Sequence, residues 1–351
     1  MPSPALSLSI IIPALNEAHN LPVLLQDLCA QENIQFETII VDGGSNDNTA
    51  ALCEDFPDKN RIRLKVLSSP VGRAIQMNQG AKSSAGTDYL FLHADTRIRN
   101  TQLLYRAQQS IHNARLESPD LRIAGHFPLR FTSNVGSNHY YFYECKTYLN
   151  RHDTINGDQG LWIARDYFTQ LGGFDESLPY MEDARLALKI FDTGKWITLP
   201  GEIETSARRF KTEGFKERQI LNSFLCNFNA MRVDEFFTSA IDVYRTQSAA
   251  TRLSLRPFLK LAHRQMNGDG FVIALKRWYQ TGAYIAHNSW QLAFALDCKR
   301  AKRQGLAPGE FDARSLAFYD RHVAHITHWP IIKFITAILT IIWFYSLFLT
   351  R

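Results

Sequence analysis

Short apolar runs punctuate the first half of the chain. Leu6 to Ile12 is β-branched and stops at Pro13; Phe36 to Val41, Ile62 to Leu67 and Tyr89 to Leu92 repeat the pattern. Runs this brief and this uniformly apolar predict strands covered on both faces, as in a parallel sheet. Between them apolar residues recur at helical spacing: Leu21, Leu24, Leu25 and Leu28, then Ala50, Leu52, Cys53 and Phe56, then Ile75, Met77 and Ala81. Strands alternating with helices predict βαβ units and a largely parallel sheet.

The second half is less regular. Ala124 to Phe131, Leu161 to Ala164 and Trp196 to Leu199 read as strands. Phe168 to Leu171 reads as helix, and Glu182-Asp183 opens a helix carrying Leu186, Leu188 and Ile190. Tyr140 to Tyr148 is rich in aromatic residues, which suit either an acceptor-lining segment or a buried packing helix. From Phe215 onward nearly everything reads as helix. Phe334 to Thr350 contains no charge and is flanked by Lys333 and Arg351. It spans about 25 Å as a helix, near the lower limit for crossing a bilayer. Ile331 and Ile332 extend it to a full span if Lys333 snorkels.

Composition narrows the class. With 351 residues, 45% hydrophobic and 21% charged, the chain affords a sizeable core, and disorder is excluded. The five cysteines form no CxxC pair, which argues against a zinc site or disulfide framework and fits a reducing compartment. The opening residues lack a basic n-region and read as a first strand, not a signal peptide. Charge is unevenly placed: Thr251 to Lys333 holds thirteen Lys and Arg against five Asp and Glu. That excess implies an anionic partner, a membrane surface or a nucleic acid. The uncharged stretch beside it selects the membrane, and no nucleic-acid partner is expected.

Polar residues cluster just past each of the first four runs. Pro13, Asn16 and Glu17 follow the first; Asp42, Gly43, Gly44 and residues to Asp47 the second; Gly72, Arg73 and Asn78 the third; His93 and Asp95 the fourth. In an open α/β sheet ligands sit beyond the carboxyl ends of the strands. A carboxylate can accept from a base N–H, glycines let backbone approach, and an Arg and a metal neutralise phosphate. Asp95 is a hard oxygen donor suited to Mg²⁺ or Mn²⁺, or alternatively a helix cap; His93 suits a further ligand or a phosphate donor. Neither GxGxxG nor GxxxxGK[ST] is present, so neither a dinucleotide fingerprint nor a P-loop is supported. Glu182-Asp183 suits either dipole compensation or a general base. Arg208-Arg209 suits solvated surface or a leaving diphosphate.

The segments SIIIPALNE, IIVDGGSNDNT, GRAIQMNQGA, LFLHADTRI, GDQGLWIARDYFTQLGGFDE, MEDARL and TSARRF, in this order, resemble a family 2 glycosyltransferase of the GT-A fold. They are most similar to the radical-SAM/selenodomain-associated transferase 2 branch. The resemblance covers Ser7 to Phe237. It implies a Rossmann-like nucleotide-diphospho-sugar transferase fold: a mixed, mainly parallel sheet flanked by helices, plus a C-terminal helical region. Residues 1–237 would be the transferase domain, 238–330 a basic helical region and 331–351 a hydrophobic helix serving as membrane anchor. By this resemblance Pro13, Asn16, Glu17, Asp42 and Arg73 fall where the family holds the nucleotide; Gly43, Gly44, Asn78, His93, Asp158, Gln159, Arg208 and Arg209 complete the expected donor site. Asp95 falls at the last position of the metal-binding DxD, where His93 replaces the first Asp, and Asp183, with Glu182, at the catalytic base. TSARRF stands where processive enzymes carry QxxRW, which implies a single transfer rather than polymer synthesis.

The implied activity is inverting transfer from a UDP-sugar, with Mg²⁺ or Mn²⁺, to a hydroxyl or phosphate acceptor that is plausibly lipid-linked. Lys and Arg clusters before the tail place the catalytic domain on the cytoplasmic face of a membrane. Two competing readings are a nucleotidyltransferase, which would show a Gly-rich basic loop after the first strand, and a non-catalytic membrane-associated nucleotide-sugar sensor.

Overall fold

The computed structural model describes residues 7–118, 122–132, 138–247 and 252–350. Leu6 and Arg351, used above as boundaries, lie outside the described residues. The chain divides into two compact units, Met1–Val135 with Lys146–Ser206, and Gly136–Cys145 with Ala207–Arg351.

The first unit is built on a seven-stranded sheet. β1 (Leu8–Ala14), β2 (Phe36–Asp42), β3 (Leu64–Ser68) and β4 (Asp88–Phe91) are mutually parallel, so their carboxyl ends share one edge. The order is β3-β2-β1-β4-β7-β5-β8, with β5 at Ile123–His126, β7 at Leu161–Ala164 and β8 at Lys195–Thr198. β7 runs antiparallel between β4 and β5 and makes the sheet mixed. β6 (Leu129–Phe131) and β9 (Ile203–Thr205) form a separate parallel pair. The stretch 124–131 is therefore two strands in two sheets and not the one that its apolar content predicts. Pro128 stands at the break; it has no N–H to donate to a ladder.

Helices cover both faces. α1 (Leu21–Cys29), α2 (Thr49–Glu54) and α3 (Arg73–Lys82) follow the first three strands, and α4 (Leu103–Glu117) follows β4. Because side chains alternate along a strand, Leu8, Ile10 and Ile12 of β1 pack with Leu21, Leu24 and Leu25 of α1 and Leu104 and Ala107 of α4. Ile11 points the other way, into a cluster with Ala74, Met77, Phe91 and Ile163. This double covering is why the strands read as continuous apolar runs. α5 (Asn138–Lys146) lies almost wholly in the second unit; α6 (Arg165–Gln170) and α7 (Glu182–Thr193) complete the first.

The second unit is helical: α5 with α8 (Arg208–Glu213), α9 (Phe215–Met231), α10 (Glu235–Arg245), α11 (Arg256–Asn267), α12 (Phe271–His287), α13 (Trp290–Arg303), α14 (Arg314–His322) and α15 (Pro330–Thr350). Aromatic residues dominate its interior. Phe228 stacks on Phe236 with centroids 4.0 Å apart. Tyr140 and Tyr143 of α5 pack on Phe210 and Phe215, so the aromatic segment has packing partners of its own. α15 is long and apolar enough to cross a membrane, and few of its residues are buried.

One buried carboxylate ties three strands together. Glu37 of β2 accepts from Ser9 Oγ of β1 at 2.7 Å, from Lys65 Nζ of β3 at 2.6 Å and from the backbone N–H of Ala85. Burial, the largest influence, works against its charge. The hydrogen bonds from Lys65, Ala85 and Ser9 outweigh it and hold the carboxyl below its ordinary value. A lowered folded value stabilises the fold above the unfolded value, and that contribution is lost as pH falls through the folded one. Glu37→Gln is accordingly expected to cost about 1–3 kcal/mol in urea unfolding at pH 7. The difference from the parent is expected to narrow below about pH 4. A cost unchanged across that range would deny Glu37 its charge.

Candidate active site

The loops after β1 and β2 are stitched to each other. The backbone N–H of Asn16 donates to Ser45 Oγ at 2.8 Å, and Asn46 N–H returns a bond to Asn16 Oδ1 at 2.9 Å. Glu17 N–H donates to Thr49 Oγ1 at 2.8 Å, and Ala18 N–H to Asp47 at 3.2 Å. Asn16 adopts a left-handed conformation with φ 57°, uncommon without a cause. Asp42, the last residue of β2, is buried and turns back on its own loop, accepting from Gly44 N–H at 3.2 Å and Ser45 N–H at 3.1 Å. Pro13 sits in β1 opposite Val41. Below the loops the Gln76 amide donates to Ala14 O at 2.8 Å and Val41 O at 2.7 Å, clamping the two strand ends. Gly43 passes over that amide, where a Cβ would lie 3.0 Å from the Gln76 side chain. Nothing in the hydrophobic pattern marks Gln76 as more than a polar position on a helix.

An ionic cluster assembles at the ends of β3 and β4. Arg73 opens α3 and pairs through Nε with Glu182, at the start of α7. Its Nη2 lies 3.7 Å from Asp183 and its Nη1 3.4 Å from His93 Nε2. His93 Nδ1 faces Asp158 at 3.1 Å. Burial, the largest influence on Arg73, opposes its charge; Glu182 and Asp183 outweigh it and raise its pKa. The Glu182 side chain is 1% exposed, that of Asp183 18% and that of Arg73 36%. Glu182 is thus the buried anchor, whereas Asp183 is the carboxylate that reaches the opening.

Asp183 is aimed by backbone. Its Oδ2 accepts from Gly157 N–H at 2.7 Å and its Oδ1 from Ala184 N–H at 2.8 Å. The approach of Gly157 requires glycine: a Cβ there would meet Asp183 Oδ2 at 2.7 Å and His93 Nε2 at 2.9 Å. Met181, just before α7, is held at φ 66°. Non-glycine residues in this region cost of order 1–3 kcal/mol and concentrate at functional sites. A recess beneath is lined mainly by apolar side chains, among them Met77, Phe91, Phe174 and Trp196.

Asp95 follows β4 and is half-buried, with no partner for its carboxylate among the described residues. Those residues contain no group of three or more His, Cys, Asp and Glu able to hold a metal. Both ring nitrogens of His93 face protein groups. One open carboxylate fits a Mg²⁺ or Mn²⁺ that takes its remaining ligands from a diphosphate and water, not a protein cage.

Two residues expected at the donor are engaged elsewhere. Asn78 donates to Phe174 O and Glu176 Oε1, both at 2.8 Å, and accepts from Phe174 N–H at 3.0 Å, latching α3 to the turn before α7. Gln159 is buried and donates to Thr154 O at 2.6 Å. Asp158 stays half-exposed beside His93. Arg208 and Arg209 begin α8 in the second unit and are exposed.

Residues 9–172 match the family model described as glycosyl transferase family 2. A PGL/p-HBAD biosynthesis glycosyltransferase of Mycobacterium bovis is 37% identical over 99 residues, 28% of this chain and 39% of that protein. A dolichyl-phosphate beta-glucosyltransferase of Drosophila melanogaster is 32% identical over 104 residues, 26% of this chain and 32% of that protein. The chain therefore spans well under half the length of these curated relatives. The structure of a mannosyltransferase from Pyrobaculum calidifontis in complex with GDP-Man and Mn²⁺ superposes with a TM-score of 0.51 at 16% identity, covering 97% of this chain and 88% of that one. At that identity it shows a shared fold, the GT-A architecture.

Gly157→Ala is expected to cost roughly 1–3 kcal/mol in thermal or urea unfolding, because the methyl must displace Asp183 or His93. In an Asp183→Ala background the cost is expected to shrink. Equal costs in the two backgrounds would mean that Gly157 does not set the position of Asp183.

Proposed function

The chain carries a family 2 glycosyltransferase domain, and we propose that it moves a sugar from a nucleoside-diphosphate donor to an acceptor hydroxyl or phosphate in a single inverting displacement. The observation that carries this reading is Asp183. Of the two carboxylates at the start of α7 it is the one that reaches the opening, aimed by Gly157 and Ala184 at the edge where the four parallel strands end.

The stitched loops after β1 and β2 are the proposed seat of the nucleoside. The backbone around Gly43 and Gly44, with Asp42 beneath it, would read the base. Arg73 would present positive charge and N–H groups to the diphosphate, with His93 beside it. Mg²⁺ or Mn²⁺ at Asp95, when bound, would neutralise charge developing on the leaving diphosphate. Asp183 takes the proton from an acceptor hydroxyl as its oxygen attacks the anomeric carbon. The bond from that carbon to the diphosphate oxygen breaks, and the nucleoside diphosphate leaves with the electron pair. A phosphate acceptor is already anionic and would need no base. Glu182 touches none of the reacting atoms. It is a positioning residue that keeps Arg73 charged and in place.

The acceptor is proposed to be lipid-linked and the enzyme membrane-attached, with its transferase unit on the cytoplasmic side. The name of the Drosophila relative specifies a dolichyl-phosphate acceptor. α15 leaves most of its apolar surface uncovered. A UDP-sugar is the first donor to assay.

Asp183→Asn is expected to retain donor binding while transfer to a hydroxyl acceptor falls by at least roughly 10². Near-native turnover at saturating acceptor would remove Asp183 from the role of base. Asp95→Ala is expected to abolish the dependence of UDP affinity on Mn²⁺ in calorimetric titration. A mutant whose affinity still rises with Mn²⁺ would place the metal elsewhere.

A further inference from the structure

The helical unit bears an apolar tip that the donor chemistry does not use. α12 and α15 pack closely along each other, and a Cβ on Gly282 would overlap the carbonyl oxygen of Lys333 and lie 2.6 Å from the Ala337 nitrogen. Further towards the start of α12, Trp278 meets Phe344 edge-on with centroids 5.4 Å apart and Tyr345 at 6.4 Å. As positions on α12 decrease, their partners on α15 increase, so the helices are antiparallel. The first turn of α12 therefore ends beside the last turn of α15. At that shared end Leu349 is 89% exposed, Phe271 82% and Val272 79%, the highest values among large apolar side chains described, with Leu275 at 55%.

Cations frame the tip. His263 of α11 is 3.1 Å from the Tyr345 hydroxyl, and its ring centroid is 6.0 Å from that of Phe348, so α11 flanks the same end. Arg256, Lys260 and Arg264 form an exposed stripe on α11, and α12 adds Lys276. None of these four has an ion-pair partner among the described residues, and neither helix contains a carboxylate.

We propose that the first turn of α12 is a second membrane-inserting element, entering the headgroup region of an anionic bilayer beside the end of α15. The proposal rests on the membrane attachment inferred above and goes beyond it by naming side chains outside α15. Apolar side chains ringed by Lys and Arg are the composition of an interfacial element. Lys276 stands five residues past Phe271, which limits entry to about 8 Å and fits an element lying in the interface. α15, packed on α12 through this register, is held at the same depth at that end. A second copy of the chain is a poorer occupant, since it would set these cations against their own kind.

The test uses the full chain with vesicles of phosphatidylcholine, with and without phosphatidylglycerol, read by co-sedimentation. The parent is expected to bind the anionic vesicles. Phe271→Asp/Val272→Asp is expected to weaken that binding by at least roughly tenfold. Ile338→Asp/Leu339→Asp, on α15, reports the underlying attachment. Lys260→Glu/Arg264→Glu, which alters no apolar residue, is expected to lose only the preference for anionic vesicles. If the α12 variant, or the cation variant should the α12 variant not fold, binds like the parent while the α15 variant fails, the inference falls and attachment through α15 stands. If the parent binds neither vesicle, the membrane reading falls with it. A parent that sediments as a dimer without vesicles and becomes monomeric as Phe271→Asp/Val272→Asp would make the tip an interface between copies and overturn the proposal.

Discussion

The ion pair between Arg73 and Glu182 joins positions 109 residues apart and fixes the geometry of the site. A carboxylate as buried as Glu182 is tolerable only with a partner; removing one side of such a pair costs about 3–5 kcal/mol. The pair thereby locks the start of α7 against the start of α3, at the end of the parallel strands. Asp183 inherits its place from that lock, one residue on, and Gly157 and Ala184 set its orientation. Arg73 is therefore both a structural clamp and a cation facing the site, two roles that one substitution would disturb together.

Much of the first unit was legible because both faces of its sheet are covered. β1, β2 and β4 are buried almost throughout and carry short runs of Ile, Leu, Val or Phe, and each is followed at once by loop chemistry, so strand ends and candidate ligands could be read together. The parallel pairing then puts those loops on one edge by necessity. Short-range pattern failed where the chain changes sheet. Residues 124–131 are mainly apolar, yet the backbone leaves the main sheet at Pro128, and periodicity carries no information about which sheet a strand joins.

The partners of the site residues were less legible than their positions. Arg73 reads from sequence as a phosphate ligand, and only the fold shows it committed to Glu182 and Asp183. Asn78 and Gln76 look alike on α3, two polar residues one position apart from Met77, but one latches a distant turn and the other clamps two strand ends. Gly157 reads as an ordinary turn glycine; its requirement comes from side chains far off in sequence. In the second unit helix content and apolar excess are plain, whereas the antiparallel pairing of α12 with α15 depends on a close approach at Gly282 that no periodicity encodes.

The stereochemistry of the transferred sugar reports whether Asp183 drives a single displacement. A single displacement with Asp183 as base inverts the anomeric centre. With a nucleoside-diphosphate α-sugar that the full chain turns over, proton NMR of the first-formed product is expected to show the β anomer and release of the nucleoside diphosphate. A product of retained configuration, or release of nucleoside monophosphate with the sugar phosphate, would exclude that displacement.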